Sequence, residues 1–197
     1  MMQNNVKIAI TGGICSGKST VAKIIKEQGF TVLSCDKIYC ELLEDLSFVN
    51  KIVKEFGNVI NSNGTLNKAK LAQIVFSDKE KLRVLNSITH PQIMNIAMQL
   101  MGGSGVYFCE VPLLFESGFE ALFDNVIVVL RDKEERIKEL MQRLKINRNQ
   151  ALSRIYSQLD YENRNFAKYY VIHNNNEIIK LKTKVFDVLT KIKKDYK

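Results

Sequence analysis

The segment Gly12-Gly-Ile-Cys-Ser-Gly17-Lys18-Ser19 satisfies the spacing G-x-x-x-x-G-K-[ST]. Its first and last glycines reach backbone conformations closed to other residues, so successive N–H groups can curl around phosphate oxygens at the positive end of a following helix. Lys18 adds a point charge suited to the β- and γ-phosphates of a nucleotide, and the Ser19 hydroxyl is a hard oxygen donor suited to Mg²⁺. A plain glycine turn is the bland alternative, and the surroundings argue against it. The motif stands between the β-branched run Val6 to Thr11 and the apolar positions Val21, Ile24 and Ile25, which recur at helical spacing. By itself such a loop leaves kinase, GTPase switch and motor ATPase open.

The elements that must hold this loop can be read from the apolar pattern. Phe30 to Ser34 follows Gly29 as a second strand, and strand, loop, helix and strand in that order make a right-handed parallel βαβ unit. Asp36 to Met101 is helical in pattern, broken by the turn Asn61-Ser-Asn-Gly64. A capping box is expected at Ser77 and Glu80, and Pro91 is expected to begin a new helix running to Met101. Gly102 to Gly105 reads as a flexible joint, and Val106 to Val111 and Asn125 to Leu130 read as strands covered on both faces. Helices are expected over Lys133 to Lys145, opened by Asp132, and over about Arg148 to Gln158. Tyr169 to His173 is the last strand, and Glu177 to about Lys194 the last helix. The expected class is α/β: a P-loop NTPase fold with a five-stranded parallel sheet flanked by helices, a helical insertion and a helical lid. Its expected parts are a core of 1–35, 102–131 and 160–197, an acceptor-binding insertion of 36–101 and a lid of 132–159.

Composition narrows the setting. Hydrophobic residues at 46% and charged residues at 25% are ordinary for a globular chain, which excludes a disordered or fibrous one. No apolar run is long enough to span a membrane, and Met1 to Asn5 shows no signal-peptide core, so a cytoplasmic location is expected. Cys15, Cys35, Cys40 and Cys109 have neither zinc-site nor disulfide-framework spacing and read as buried thiols. The net charge of 29 − 21 = +8 favours anionic partners, yet the charge is spread along helices and concentrated toward the end without a basic stripe interleaved with aromatics, as on a solvated face. Small-molecule substrates are therefore expected, with no nucleic acid and no membrane, on a monomer or weak homo-oligomer.

No Asn-Lys-x-Asp segment is present to read guanine, since Asn67-Lys68 is followed by Ala69 and Lys70, whereas an insertion after the second strand and an arginine-bearing excursion suit a small-molecule kinase. A P-loop protein using ATP as a switch, and another nucleoside or nucleotide kinase, are the competing readings. With Thr11 to Thr20, Cys35-Asp36-Lys-Ile, Leu66 to Phe76, Leu85 to Pro91 and Glu110-Val-Pro-Leu-Leu-Phe-Glu116, the chain resembles the dephospho-coenzyme A kinases nearly end to end. That resemblance implies transfer of phosphate from ATP, with Mg²⁺, to the ribose 3′-hydroxyl of dephospho-coenzyme A, the last step of coenzyme A synthesis.

The resemblance also implies roles. ATP would lie against Gly13, Ile14, Cys15, Ser16, Gly17, Lys18, Ser19 and Thr20, with Asn174 near the adenine, where a turn role is equally open. Asp36 would activate the hydroxyl or hold Mg²⁺, directly or through water, alongside Ser19. Its position just past a strand end, on the ligand edge of an open α/β sheet, suits that work, and a helix N-cap is its plain alternative. Lys18, Asp36 and the lid arginine Arg143 form the catalytic set, while Arg136, Arg148 and Arg154 are expected to be solvated neighbours. Lys68, His90, Glu110, Pro112, Leu113 and Leu114 would meet the acceptor, His90 having a packing role as its alternative. The chain departs from the family pattern at Ser34, Lys68, Glu110, Lys168 and Glu139, the last reversing a lid charge.

Overall fold

The computed structural model describes residues 5–175 and 177–196; Met1 to Asn4, the greater part of the segment Met1 to Asn5 read for a signal-peptide core, lies outside them. Five parallel strands stand in the order β2-β3-β1-β4-β5. They are β1 (Asn5–Thr11), β2 (Thr31–Ser34), β3 (Gly105–Glu110), β4 (Asn125–Leu130) and β5 (Tyr170–His173). β1 is central because it is apolar on both faces: Val6, Ile8, Ala9, Ile10 and Thr11 are all buried. The chain leaves β1 for β2 on one side and leaves β3 for β4 on the other, so the switch point where an open α/β sheet takes ligands lies at the C-terminal ends of β1 and β3. Register puts Ile10 beside Glu110 and Glu110 beside Ser34, so the three strand ends lie level.

Helix α1 (Lys18–Glu27) and helix α9 (Ile178–Asp195) cover the sheet. Val21, Ile24 and Ile25 of α1 join Leu181, Val185, Leu189 and Ile192 of α9 in one core with Ile8, Ile10, Phe108, Ile127 and Ile172 of the strands. Each such aliphatic side chain contributes about 1.5–3 kcal/mol by leaving water. A second small core joins α7 (Lys133–Leu144) and α8 (Arg148–Tyr156): Ile137, Leu140, Ala151 and Ile155 pack together with Cys15. Asn147 opens α8 with a reciprocal capping box to Gln150. Between β3 and β4 lies the short α6 (Leu114–Ser117).

The chain divides into two compact units, Cys35–Leu100 and the remainder. The smaller unit holds α2 (Cys35–Leu42), α3 (Leu46–Phe56), α4 (Lys68–Phe76) and α5 (Lys79–Leu100). α2, α3 and α4 each pack on α5, and Asn61 to Gly64 turns the chain at an Ile60–Leu66 bridge.

Two expectations fail here. Pro91 does not start a helix but sits inside α5. Its missing N–H and its ring disfavour that by about 3 kcal/mol, yet Thr89, Ile93, Met94 and Ala97 keep one buried face in phase across the proline, and that packing wins. The expected Ser77 cap is also displaced. Asp78 accepts the N–H of Glu80 at 2.9 Å and of Lys81 at 3.3 Å, whereas the Ser77 hydroxyl donates back to Ile74 O and closes α4.

Candidate functional site: a phosphate loop held from outside

The loop from Gly12 to Gly17 joins β1 to α1 with a backbone that only part of its sequence favours. Gly12 (φ 151°) passes so near the Val129 carbonyl that a side chain could not fit, and Gly17 caps α1 at φ 93°. Cys15 adopts φ 58°, a left-handed conformation sparsely used by residues other than glycine. Its side chain is sealed into the α7–α8 core. Burial pushes the Cys15 thiol pKa up, opposed most strongly by Arg143, so Cys15 stays an unreactive thiol.

Every carbonyl from residue 12 to residue 16 is engaged. Lys18 Nζ donates to Gly12 O at 2.9 Å and to Gly13 O at 3.1 Å. Arg136 Nε donates to Ile14 O at 2.9 Å, Arg131 Nη1 to Cys15 O at 3.3 Å, and Asn174 Nδ2 to Ser16 O at 2.9 Å. Carbonyls drawn away in this fashion leave the concave face of such a loop to N–H groups other than those of Ile14 and Ser16, which bond to Gln158 and to Gly13 O, and N–H groups are what an anion requires. At the start of α1, Ser19 Oγ donates to Glu110 Oε1 at 2.7 Å, so the end of β3 brings a carboxylate to the hydroxyl.

The other expected residues lie as follows. Asn174 follows β5 and donates to the loop at Ser16 O. Arg143 is exposed in the last turn of α7. Pro112 and Leu113 are half-buried, Leu113 in a left-handed conformation at φ 57°. Leu114 is 0% exposed, so it is core and cannot meet an acceptor with its side chain. In the smaller unit, Asp36 is exposed in the first turn of α2 rather than capping it, and Lys68 is exposed at the first position of α4, where Asn67 is the cap. His90 is half-buried on α5, and burial pushes its pKa down, so it is a neutral imidazole near pH 7 rather than a cationic phosphate partner.

The expectation of a solvated Arg136 is corrected by the structure: the residue is 3% exposed, with its guanidinium flat against Gly13. The signal was present in the sequence, because Arg136 shares the α7 stripe of Ile137 and Leu140. Arg148 is exposed but forks onto both oxygens of Glu134 at 2.7 and 2.9 Å. Glu139, the reversed lid charge, pairs with Arg131. Sequence reasoning missed Arg131 and Gln158 altogether. Gln158 Oε1 accepts the Ile14 N–H at 2.6 Å. Arg131 also lines a cavity of about 540 Å³ with Thr20, Asn174, Asn175, Ile178 and Leu181, and its place directly after β4 was the available clue.

The comparisons with known proteins agree with this geometry. A family model for dephospho-CoA kinase (CoaE) matches residues 6–180. The chain belongs to the dephospho-CoA kinase family. A curated dephospho-CoA kinase of Fusobacterium nucleatum is 42% identical over 181 residues, covering 90% of this chain and 94% of that one. Among solved structures, TT1252 from Thermus thermophilus matches with a TM-score of 0.80 at 30% identity, over 94% of this chain and 97% of the other. The dephospho-CoA kinase from Campylobacter jejuni matches with a TM-score of 0.69 at 31% identity, over 96% and 98%. The family is one of ATP-dependent kinases, and the switch-protein reading falls away. No helix among the described residues is long and apolar enough to cross a membrane.

Proposed function

We propose that the chain transfers the γ-phosphoryl group of ATP to the ribose 3′-hydroxyl of dephospho-CoA, with the triphosphate held by Gly13 to Thr20. Family membership supports the reaction, and the observation that carries the residue roles is the loop whose carbonyls are all engaged, those of Ile14, Cys15 and Ser16 from outside, with Lys18 and the Ser19–Glu110 pair at its end. In the reaction the hydroxyl oxygen bonds to Pγ, the bond from Pγ to the bridging oxygen of ADP breaks, and the hydroxyl proton passes to the Asp36 carboxylate. The smaller unit, Cys35–Leu100, holds the acceptor through Lys68 and neutral His90, with Pro112 and Leu113 adding apolar contact. The excursion 132–159 acts as the lid.

Among the described residues no cluster of three acidic, His or Cys side chains could cage a metal, yet hydroxyl and carboxylate oxygens meet at Ser19 and Glu110. That donor set fits Mg²⁺, which takes few protein oxygens and keeps water and phosphate ligands. Ser19, Glu110 and, through water, Asp36 would hold it, and when bound it neutralises charge on the β- and γ-phosphates. Glu110→Gln is thus expected to raise the magnesium concentration for half-maximal rate by about tenfold, the usual effect of a lost supporting carboxylate. An unchanged magnesium titration removes Glu110 from this role.

The adenine is assigned to the 540 Å³ cavity, where Arg131 and Ile178 are among the lining residues. Arg143 is exposed and on this reading approaches the phosphates on closure, so Arg143→Ala should lower kcat by about 100-fold with little change in ATP affinity. If the substitution instead weakens ATP binding and spares kcat, Arg143 is a ground-state ligand.

ADP release with dephospho-CoA, AMP, cytidine and no acceptor, together with phosphorus NMR of the product, tests the function. Dephospho-CoA should be turned over with the new phosphate on the 3′-oxygen. AMP should be poor even at saturation, because remote binding energy is needed to position the hydroxyl. A β-phosphoryl signal on AMP, as an adenylate kinase gives, overturns the acceptor assignment.

A further inference from the structure

The two peptide groups flanking Ile14 are fastened by side chains from outside the loop. Gln158 Oε1, past the end of α8, accepts the Ile14 N–H at 2.6 Å. Arg136 Nε, on α7, donates to the Ile14 carbonyl at 2.9 Å. Peptide groups are planar, so fixing the plane before and the plane after Ile14 fixes both of its soft dihedrals. The next residue is Cys15 at φ 58°, whose side chain is locked among Ile137, Leu140, Ala151 and Ile155. A left-handed non-glycine residue costs about 1–3 kcal/mol and persists only where its neighbours over-determine it. The Arg136 guanidinium lies on Gly13, 3.9 Å from Glu162, and burial there costs it its hydration, so the contact with the loop is what the residue gains in return.

We infer that Arg136 and Gln158 are positioning residues, which hold the Ile14 peptides so that the loop from Gly13 to Gly17 is already in its phosphate-binding shape before nucleotide arrives. The inference rests on the reading of that loop as the triphosphate site. If a pin is removed, the loop samples other shapes, and the apparent dissociation constant rises as the reciprocal of the fraction still competent. The chemistry at saturation is not touched, because Lys18, Ser19 and Asp36 are unchanged. A role confined to stability has a different signature, since it lowers Tm and leaves the affinity of the folded protein alone.

The test is calorimetric binding of MgATP to the whole protein, with kcat and Tm measured alongside, for the wild type and for Gln158→Ala, Arg136→Met and Arg136→Lys. Gln158→Ala and Arg136→Met should each weaken MgATP binding by about tenfold or more while kcat at saturating ATP stays within about twofold. Arg136→Lys, which retains a donor and a charge, should recover most of that affinity. Should Arg136→Met fail to fold, Gln158→Ala decides, since Gln158 is half-exposed and its loss opens no large cavity. Folded Gln158→Ala binding MgATP as tightly as wild type, or Arg136→Lys no better than a folded Arg136→Met, overturns the inference. Wild type that does not bind MgATP overturns the nucleotide reading itself, an outcome distinct from either.

Discussion

Turnover of Lys18→Ala should drop by about a thousandfold or more while the protein remains folded. The side chain is half-buried and bonds to the carbonyls of Gly12 and Gly13 within its own loop, so truncation removes no core volume. Losing those two bonds should cost about 1–3 kcal/mol of stability in total, short of what unfolds a domain. What disappears is a positive charge against phosphate oxygens as charge shifts toward the leaving ADP, and one preorganised group of this kind is worth a factor of about 100 to 1,000 or more. Initial rates of ADP release, with circular dichroism to show the fold, make the comparison. A folded Lys18→Ala protein with near-wild-type rates removes the phosphate-loop assignment.

For Asp36→Asn, kcat is expected to fall by about 100-fold or more, the usual scale for a positioned proton acceptor, with the ATP dissociation constant little changed. The side chain is exposed in the first turn of α2 and buries nothing, so the substitution should be nearly silent in Tm. Asparagine keeps the size and loses the basic oxygen, so a fall in kcat reports proton transfer rather than packing. If ATP affinity falls and the saturated rate does not, Asp36 serves the nucleotide and some other group takes the proton.

The strands were legible because buried parallel strands are short unbroken apolar runs: Asn125 to Leu130 reads in the sequence as it stands in the sheet. The phosphate loop was legible because its chemistry is local, with glycines, lysine and serine at fixed spacing. Pro91 was misread for the opposite reason. A proline within a helical pattern is a local stop signal, and only the packing of Thr89, Ile93 and Ala97, distant in consequence from that signal, overrides it. Ser77 and Asp78 are adjacent good caps, and spacing alone cannot say which one turns its oxygen inward. Arg136, Arg131, Gln158 and Asn174 act through backbone carbonyls or an amide of a segment more than a hundred residues away. Backbone partners leave no residue type to match, so no motif announces them. Leu114 was misassigned because an apolar residue at a ligand edge reads alike whether it faces the ligand or the core.

Ile14 and Cys15 belong to two structures at once, the phosphate loop through their backbone and the α7–α8 core through their side chains. The chain therefore has no independent dial for the rigidity of that helix pair. Substitutions that repack Ile137, Leu140 or Ala151, chosen for heat tolerance alone, will register as altered nucleotide affinity, and selection on nucleotide affinity will in turn reshape the hydrophobic cluster behind the loop. In a lineage adapting to a new temperature, the loop and the core beneath it must drift together.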